Sequence, residues 1–149
     1  MGSPEPLLER DVKIADVMTR HPETVGLYDT LGSVRSRFDR LNVHHLLVVD
    51  AGRLVGVVSD RDLLRALSPA LGTMSESTRD AATLDKKVHQ VMSRHPVTLT
   101  ADALVTEAID LLCTRRISCV PVVDDSFRPL GIVSWRDLLK VMRSLLQAP

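Results

Sequence analysis

Three blocks of this sequence occur twice in the same order, and that duplication narrows the folds open to it. Val17-Met18-Thr19-Arg20-His21-Pro22 returns 74 residues later as Val91-Met92-Ser93-Arg94-His95-Pro96. Val48-Val49-Asp50 returns at the same offset as Val122-Val123-Asp124. Gly56-Val57-Val58-Ser59-Asp60-Arg61-Asp62-Leu63-Leu64 returns as Gly131-Ile132-Val133-Ser134-Trp135-Arg136-Asp137-Leu138-Leu139, now 75 residues on. One residue has therefore been gained in the turn between the last two blocks. Two copies are too few for a solenoid, which needs at least three. The expected outcome is two units packed face to face about a pseudo-two-fold axis, with the cleft between them a natural ligand site.

Hydrophobic periodicity gives each unit the same order of elements. Lys13 to Met18 reads as a short helix and Thr24-Val25 as a short extended piece. Leu31, Val34, Phe38 and Leu41 fall at helical spacing, predicting an amphipathic helix over 30–41. Leu46 to Val49 is a buried strand. Asp50-Ala51-Gly52-Arg53 is a hairpin turn, and Leu54 to Val58 the return strand. Ser59 opens a helix carrying Leu63, Leu64 and Leu67. The second copy repeats this with Thr98-Leu99, a helix bearing Val105, Ala108, Ile109 and Leu112, strands over 119–123 and 130–133, and a helix from Trp135 to about Leu146. Residues 1–10 read as a flexible lead-in, 11–67 as the first repeat and 68–83 as an exposed connector. Residues 84–146 read as the second repeat, entered by a short helix over 84–92, and 147–149 as a tail.

This strand–helix–strand–strand–helix order, with the duplicated blocks, resembles the cystathionine-β-synthase (CBS) domain, and two in tandem resemble a CBS pair, or Bateman module. The resemblance covers roughly residues 11–146. It implies an α/β (α+β) fold of two β-α-β-β-α repeats, and a regulatory module that binds an adenosyl ligand such as AMP, ADP or ATP between them. It also implies dimerisation through the helices.

The clearest chemical candidate is Ser-x-x-Asp after a glycine-containing strand: Ser59 with Asp62, and Ser134 with Asp137. Free N–H groups at a strand-to-helix junction favour phosphate, and a carboxylate can accept both hydroxyl protons of a ribose. The same tetrapeptide is also a helix capping box, worth about 0.5–2 kcal/mol per cap. The resemblance assigns the Asp to the ribose and the Ser to the phosphate end. It likewise assigns the strand before each block to adenine. The second repeat keeps the family's apolar-x-apolar-Pro pattern in Ile117-Ser118-Cys119-Val120-Pro121, where proline removes a ladder donor. The first repeat departs from it: Val43-His44-His45-Leu46-Leu47 has Leu47 where Pro121 stands. Thr24 and Thr98, at the entry of each unit, correspond to a base-contacting position in the family, though both also suit a strand by propensity. Arg61 and Arg136 adjoin the phosphate end and can pair with phosphate or with a neighbouring Asp.

Other classes are disfavoured. Lys plus Arg equals Asp plus Glu, 19 against 19, which removes the global electrostatic case for nucleic acid or an anionic membrane. Aromatic residues make up 3 %, too few for single-strand stacking platforms. No apolar run reaches membrane-spanning length and no secretory signal opens the chain, so a cytoplasmic location is expected. Cys113 and Cys119 read as buried free thiols, and Trp135 as a buried ring. His44 and His45 are adjacent, so their side chains point to opposite faces of a strand and do not suit one metal. No nucleophile elbow or Gly-rich phosphate loop is present, so no catalysis and no required cofactor are expected. The function expected is a stand-alone regulatory pair that senses an adenine nucleotide and signals to an effector protein in trans. The alternative is a dimerisation or interaction module without a physiological nucleotide.

Overall fold

The computed structural model describes residues 11–148, so the lead-in over 1–10 and Pro149 lie outside the described residues. Two compact units result. A contiguous unit holds Glu23–Pro96. A split unit joins the described residues up to Pro22 to those from Val97 onward. Each is described by itself. The class is α+β, with two sheets and six α-helices among the described residues.

In the contiguous unit, β2 (Thr24–Gly26) runs parallel to β3 (His45–Asp50), which pairs antiparallel with β4 (Arg53–Ser59). The two-residue turn between β3 and β4 puts Ala51 at φ 48° and Gly52 at φ 78°. This is the double positive-φ geometry that suits the right-handed twist of a hairpin. The helix α2 (Leu31–Leu41) opens on Thr30, whose hydroxyl accepts the Ser33 N–H at 3.1 Å, and it buries Leu31, Val34 and Phe38. The helix α3 (Asp60–Ala66) follows β4 and buries Leu63. These side chains close one core with Val25, Leu46, Val48, Val58, Val88 and Met92.

In the split unit, α1 is Ile14–Val17, β1 Thr19–Arg20, and α5 Val105–Thr114. The strands β6 (Cys119–Val123) and β7 (Pro129–Ser134) pair antiparallel, and α6 is Trp135–Gln147. The extra residue falls in the β6–β7 turn. There Asp124 Oδ1 accepts the N–H groups of Ser126 and Arg128, each at 2.9 Å. The core contains Ile14, Met18, Val105, Ala108, Val122 and Val133.

Sequence order assigns residues 11–22 to the first repeat, but in space they complete the second. Ile14 N–H donates to Ala103 O (2.8 Å), and β1 pairs antiparallel with β7. The segment after the connector does the same for the first repeat. Val88 N–H donates to Asp29 O (2.9 Å), and β5 (Ser93–Arg94) pairs with β4. The duplicated Val-Met-Thr/Ser-Arg-His-Pro block is thus a strap. In each copy the Arg guanidinium donates to a carbonyl five residues back, Arg20 to Ala15 and Arg94 to His89, both at 2.9 Å. His21 and His95 then turn the chain at φ 52° and 50°.

The same strap explains the glycine that begins each third block. A Cβ on Gly56 would lie 2.6 Å from Met92 Sδ and 2.9 Å from Ser93 O. One on Gly131 would lie 2.6 Å from Met18 Sδ and 2.8 Å from Thr19 O. Only a residue without Cβ lets the methionine and the strap backbone lie on the strand.

The connector carries structure of its own, and one expectation needs correction. The connector is exposed, but it contains the helix α4 (Thr78–Ala82), capped by Ser77 and Asp80. Ser68 Oγ reaches Asp80 Oδ1 at 2.6 Å. Hydrogen bonds from Ser68 and Ser77 hold the Asp80 carboxyl below its usual range. The helix expected over 84–92 is two 3₁₀ turns, Thr83–Asp85 and Val88–Gln90. Between them the chain must extend, because Lys86 O accepts the Leu31 N–H and Lys87 bridges Thr30.

Candidate functional site

Each unit gathers its candidate residues where the hairpin ends and its following helix begins. In the contiguous unit His45 stands opposite Ser59 in the β3–β4 ladder, and Thr24 stands beside Leu47 in the parallel pair. In the split unit Cys119 stands opposite Ser134. Leu99 bridges Val122 in parallel and gives its N–H to Pro121 O at 3.0 Å, which brings Thr98 alongside.

The apolar candidates turn inward. Leu46, Val120 and Pro121 are fully buried, Cys119 nearly so, and Ile117 is half-buried. What Leu46, Cys119, Val120 and Pro121 can offer a ligand is their backbone. Burial pushes the Cys119 thiol up to about 12, which keeps it protonated and inert. Cys113, by contrast, is exposed, because it lies off the face of α5 that buries Val105, Ala108 and Leu112.

Pro121 separates the two units chemically. At the matching position Leu47 N–H donates to Glu23 O at 3.0 Å. Pro121 has no N–H to give, so the parallel pairing of Thr98-Leu99 shrinks to a single bridge and no regular strand forms there. In the contiguous unit the Thr24 carbonyl is already taken by Arg37 Nη1 at 2.7 Å.

The paired Ser and Asp are where the units differ most. Ser59 and Asp62 form a reciprocal cap: Asp62 Oδ2 accepts the Ser59 N–H (2.9 Å), and Ser59 Oγ accepts the Asp62 N–H (3.1 Å). Asp62 is half-buried. Asp137 is 6 % exposed, the one buried charged side chain among the described residues. Its Oδ2 accepts both N–H (2.9 Å) and Oγ–H (3.1 Å) of Ser134, and its Oδ1 accepts the Thr19 hydroxyl at 2.9 Å. Thr19 was not among the residues expected at the site. Its presence at one equivalent position of the duplicated block, with Ser93 at the other, was the available signal.

Arg61 and Arg136 are exposed, and neither forms an ion pair with a neighbouring Asp among the described residues. His44 Nδ1 and Asp60 Oδ2 form a hydrogen bond at 2.8 Å, an ion pair only when the imidazole is protonated, on an exposed surface where such pairs contribute little. Trp135, read as buried, is 46 % exposed. It lies on the outer face of α6 with Leu139, Met142 and Leu146, while Leu138 packs against the core.

His45 is half-buried, and burial lowers its pKa below the usual 6.5, against the opposing pull of Asp60. Between the folded and unfolded values the unfolded chain binds the extra proton, so stability rises with pH through this window and is lost below it. Thermal melts between about pH 5 and pH 7.5 are expected to show this slope, and His45→Gln to flatten it. An unchanged slope in the variant would assign the effect elsewhere.

Comparison with known proteins agrees on the family. The sequence model of the CBS domain matches residues 14–69 and 88–144. A CBS domain-containing protein of Dictyostelium discoideum is 32 % identical over 138 residues, covering 91 % of this chain and 94 % of its own. The inosine-5′-monophosphate dehydrogenase of Methanocaldococcus jannaschii is 31 % identical over 131 residues, but the match spans 22 % of that enzyme. Among solved structures, the CBS domain pair of protein MJ0100, in complex with 5′-methylthioadenosine and S-adenosyl-L-methionine, is 25 % identical with a TM-score of 0.75. That match covers 91 % of this chain and 98 % of that one. CBSX2 in complex with AMP shares the fold at 24 % identity and a TM-score of 0.76, covering 91 % and 99 %. Among the described residues no helix is long and apolar enough to cross a membrane.

Proposed function

As this chain belongs to the CBS domain family and carries the domain twice, we propose that it is a regulatory module that binds an adenine nucleotide and passes its bound state to a partner protein in trans. One observation carries the reading: the same Asp recurs at the same strand-to-helix junction, and in the contiguous unit its carboxylate is left largely unfilled. Among the described residues Asp62 accepts one hydrogen bond, from the Ser59 N–H. An ionised carboxylate has about four acceptor sites, so a ribose diol can be held there without displacing anything. The exposed Arg61 lies next in the chain, suited to a phosphate. Arg136 and Asp137 are the counterparts in the split unit, with the backbone of Cys119 to Pro121 and Thr98 beside them. The complex of protein MJ0100 with adenosyl compounds supports the ligand class. The ligand shifts a packing equilibrium only as far as its contacts differ between states.

Calorimetric titration with AMP, ATP and S-adenosyl-L-methionine tests this. Binding of at least one is expected, and Asp62→Ala should weaken it more than tenfold, or about 1.4 kcal/mol. Absence of binding to all three would favour an interaction module without a nucleotide.

The reading includes a homodimer. Trp135, Leu139, Met142 and Leu146 form one exposed apolar stripe along α6, a face that a two-fold contact buries on both partners at once. Light scattering is expected to give twice the 16.5 kDa chain mass. Charges at Leu139 and Met142 should return it to monomer with the fold intact. Leu138, being packed inward, is not a position for this test. A monomeric wild-type chain at micromolar concentration would overturn the dimer.

A further inference from the structure

We propose that Thr19 is an internal competitor for the Asp137 carboxylate and sets the affinity of the split unit for a ligand bearing a vicinal diol. The inference rests on the reading above, in which this carboxylate receives ribose hydroxyls. Asp137 has three of its roughly four acceptor sites filled, two by Ser134 and one by the Thr19 hydroxyl. A vicinal diol donates two hydrogen bonds, so it must displace a donor already present. Ser134 N–H is fixed by the start of α6, and the Ser134 hydroxyl sits on that same residue, whereas the hydroxyl of the exposed Thr19 comes from the separate strand β1 and can rotate away to water while β1 stays paired with β7. The contiguous unit has no such competitor: Ser93 occupies the equivalent place, and among the described residues it does not reach Asp62. The two units are therefore inequivalent. The contiguous one accepts a diol outright, and the split one exchanges an internal hydrogen bond for it.

The test uses Asp62→Ala protein, in which the contiguous unit is weakened and the split unit is read, titrated with AMP and with 2′-deoxy-AMP. Replacing Thr19 by Val keeps the β-branched shape and removes the hydroxyl. It is expected to lower the melting temperature of the free protein and to tighten AMP binding by about tenfold, because the ligand then satisfies a carboxylate left short of a partner. Thr19→Ser restores the hydroxyl and should return affinity to the Thr19 value. Weaker or unchanged AMP binding in Thr19→Val, with 2′-deoxy-AMP still discriminated, would overturn the competitor role alone. Equal binding of AMP and 2′-deoxy-AMP, or none of either, would overturn the ribose reading and the competitor with it.

Discussion

Replacing Gly131 by alanine is expected to unfasten the strap from the split unit and destabilise it by about 2–3 kcal/mol. The new methyl group would sit 2.6 Å from Met18 Sδ and 2.8 Å from Thr19 O. The sulfur ends a flexible side chain and can swing aside, but the carbonyl is backbone, so β1 must withdraw from β7. Withdrawal breaks the pairing of Thr19 with Ile132 and Arg20 with Gly131, exposes Met18, and takes the Thr19 hydroxyl from Asp137. Gly56→Ala should act alike in the contiguous unit, through Met92 and Ser93. Adding Met18→Ala to Gly131→Ala should recover only part of the loss. Urea unfolding measures it. A cost below about 0.5 kcal/mol would mean that the strap is not held by close approach to the glycine.

The second large effect is non-local. Ile14→Ala should cost about 2–5 kcal/mol, as for other fully buried aliphatic truncations. The loss should fall on residues far along the chain. Ile14 packs in a core with Val105, Val122 and Val133, so hydrogen exchange is expected to quicken across 97–148 while 23–96 stay protected. Val88→Ala should give the reverse pattern, because Val88 completes the core of Leu31, Leu46 and Val58. Uniform loss of protection in both variants would show that the two units do not open separately.

The duplication made most of the fold legible. Leu31, Val34 and Phe38 at helical spacing, the Ala51-Gly52 turn and the Ser59–Asp62 cap all lie where local rules place them, since each depends on neighbours within a few residues. What local rules could not supply was the partner of each strap. Residues 13–20 open the first repeat in sequence order, and nothing in their composition says that they pair with β7 more than a hundred residues on. Met18 against Gly131, and Met92 against Gly56, were visible as repeated letters but not as contacts. The same limit applies to Cys113, Trp135 and Leu138, whose exposure or burial depends on which face of a helix meets the core. At the candidate site the recurrence of Asp was legible. The unequal filling of the two carboxylates was not, because it turns on the Thr19 hydroxyl reaching across from the strap.

The split arrangement also bears on synthesis, which proceeds from the N-terminus. Once Pro96 has left the ribosome, the contiguous unit has every residue of its core, Val88 and Met92 included. Ile14 and Met18 have emerged earlier still, yet Val122 and Val133 are not yet made. For that interval the first strap is nascent chain with apolar side chains and nothing to cover them, exposed to holding chaperones and to self-association. Translation speed between codons 20 and 133 therefore sets how long this segment must wait, longer than Val25 and Leu31 of the contiguous unit wait for Val88 and Met92.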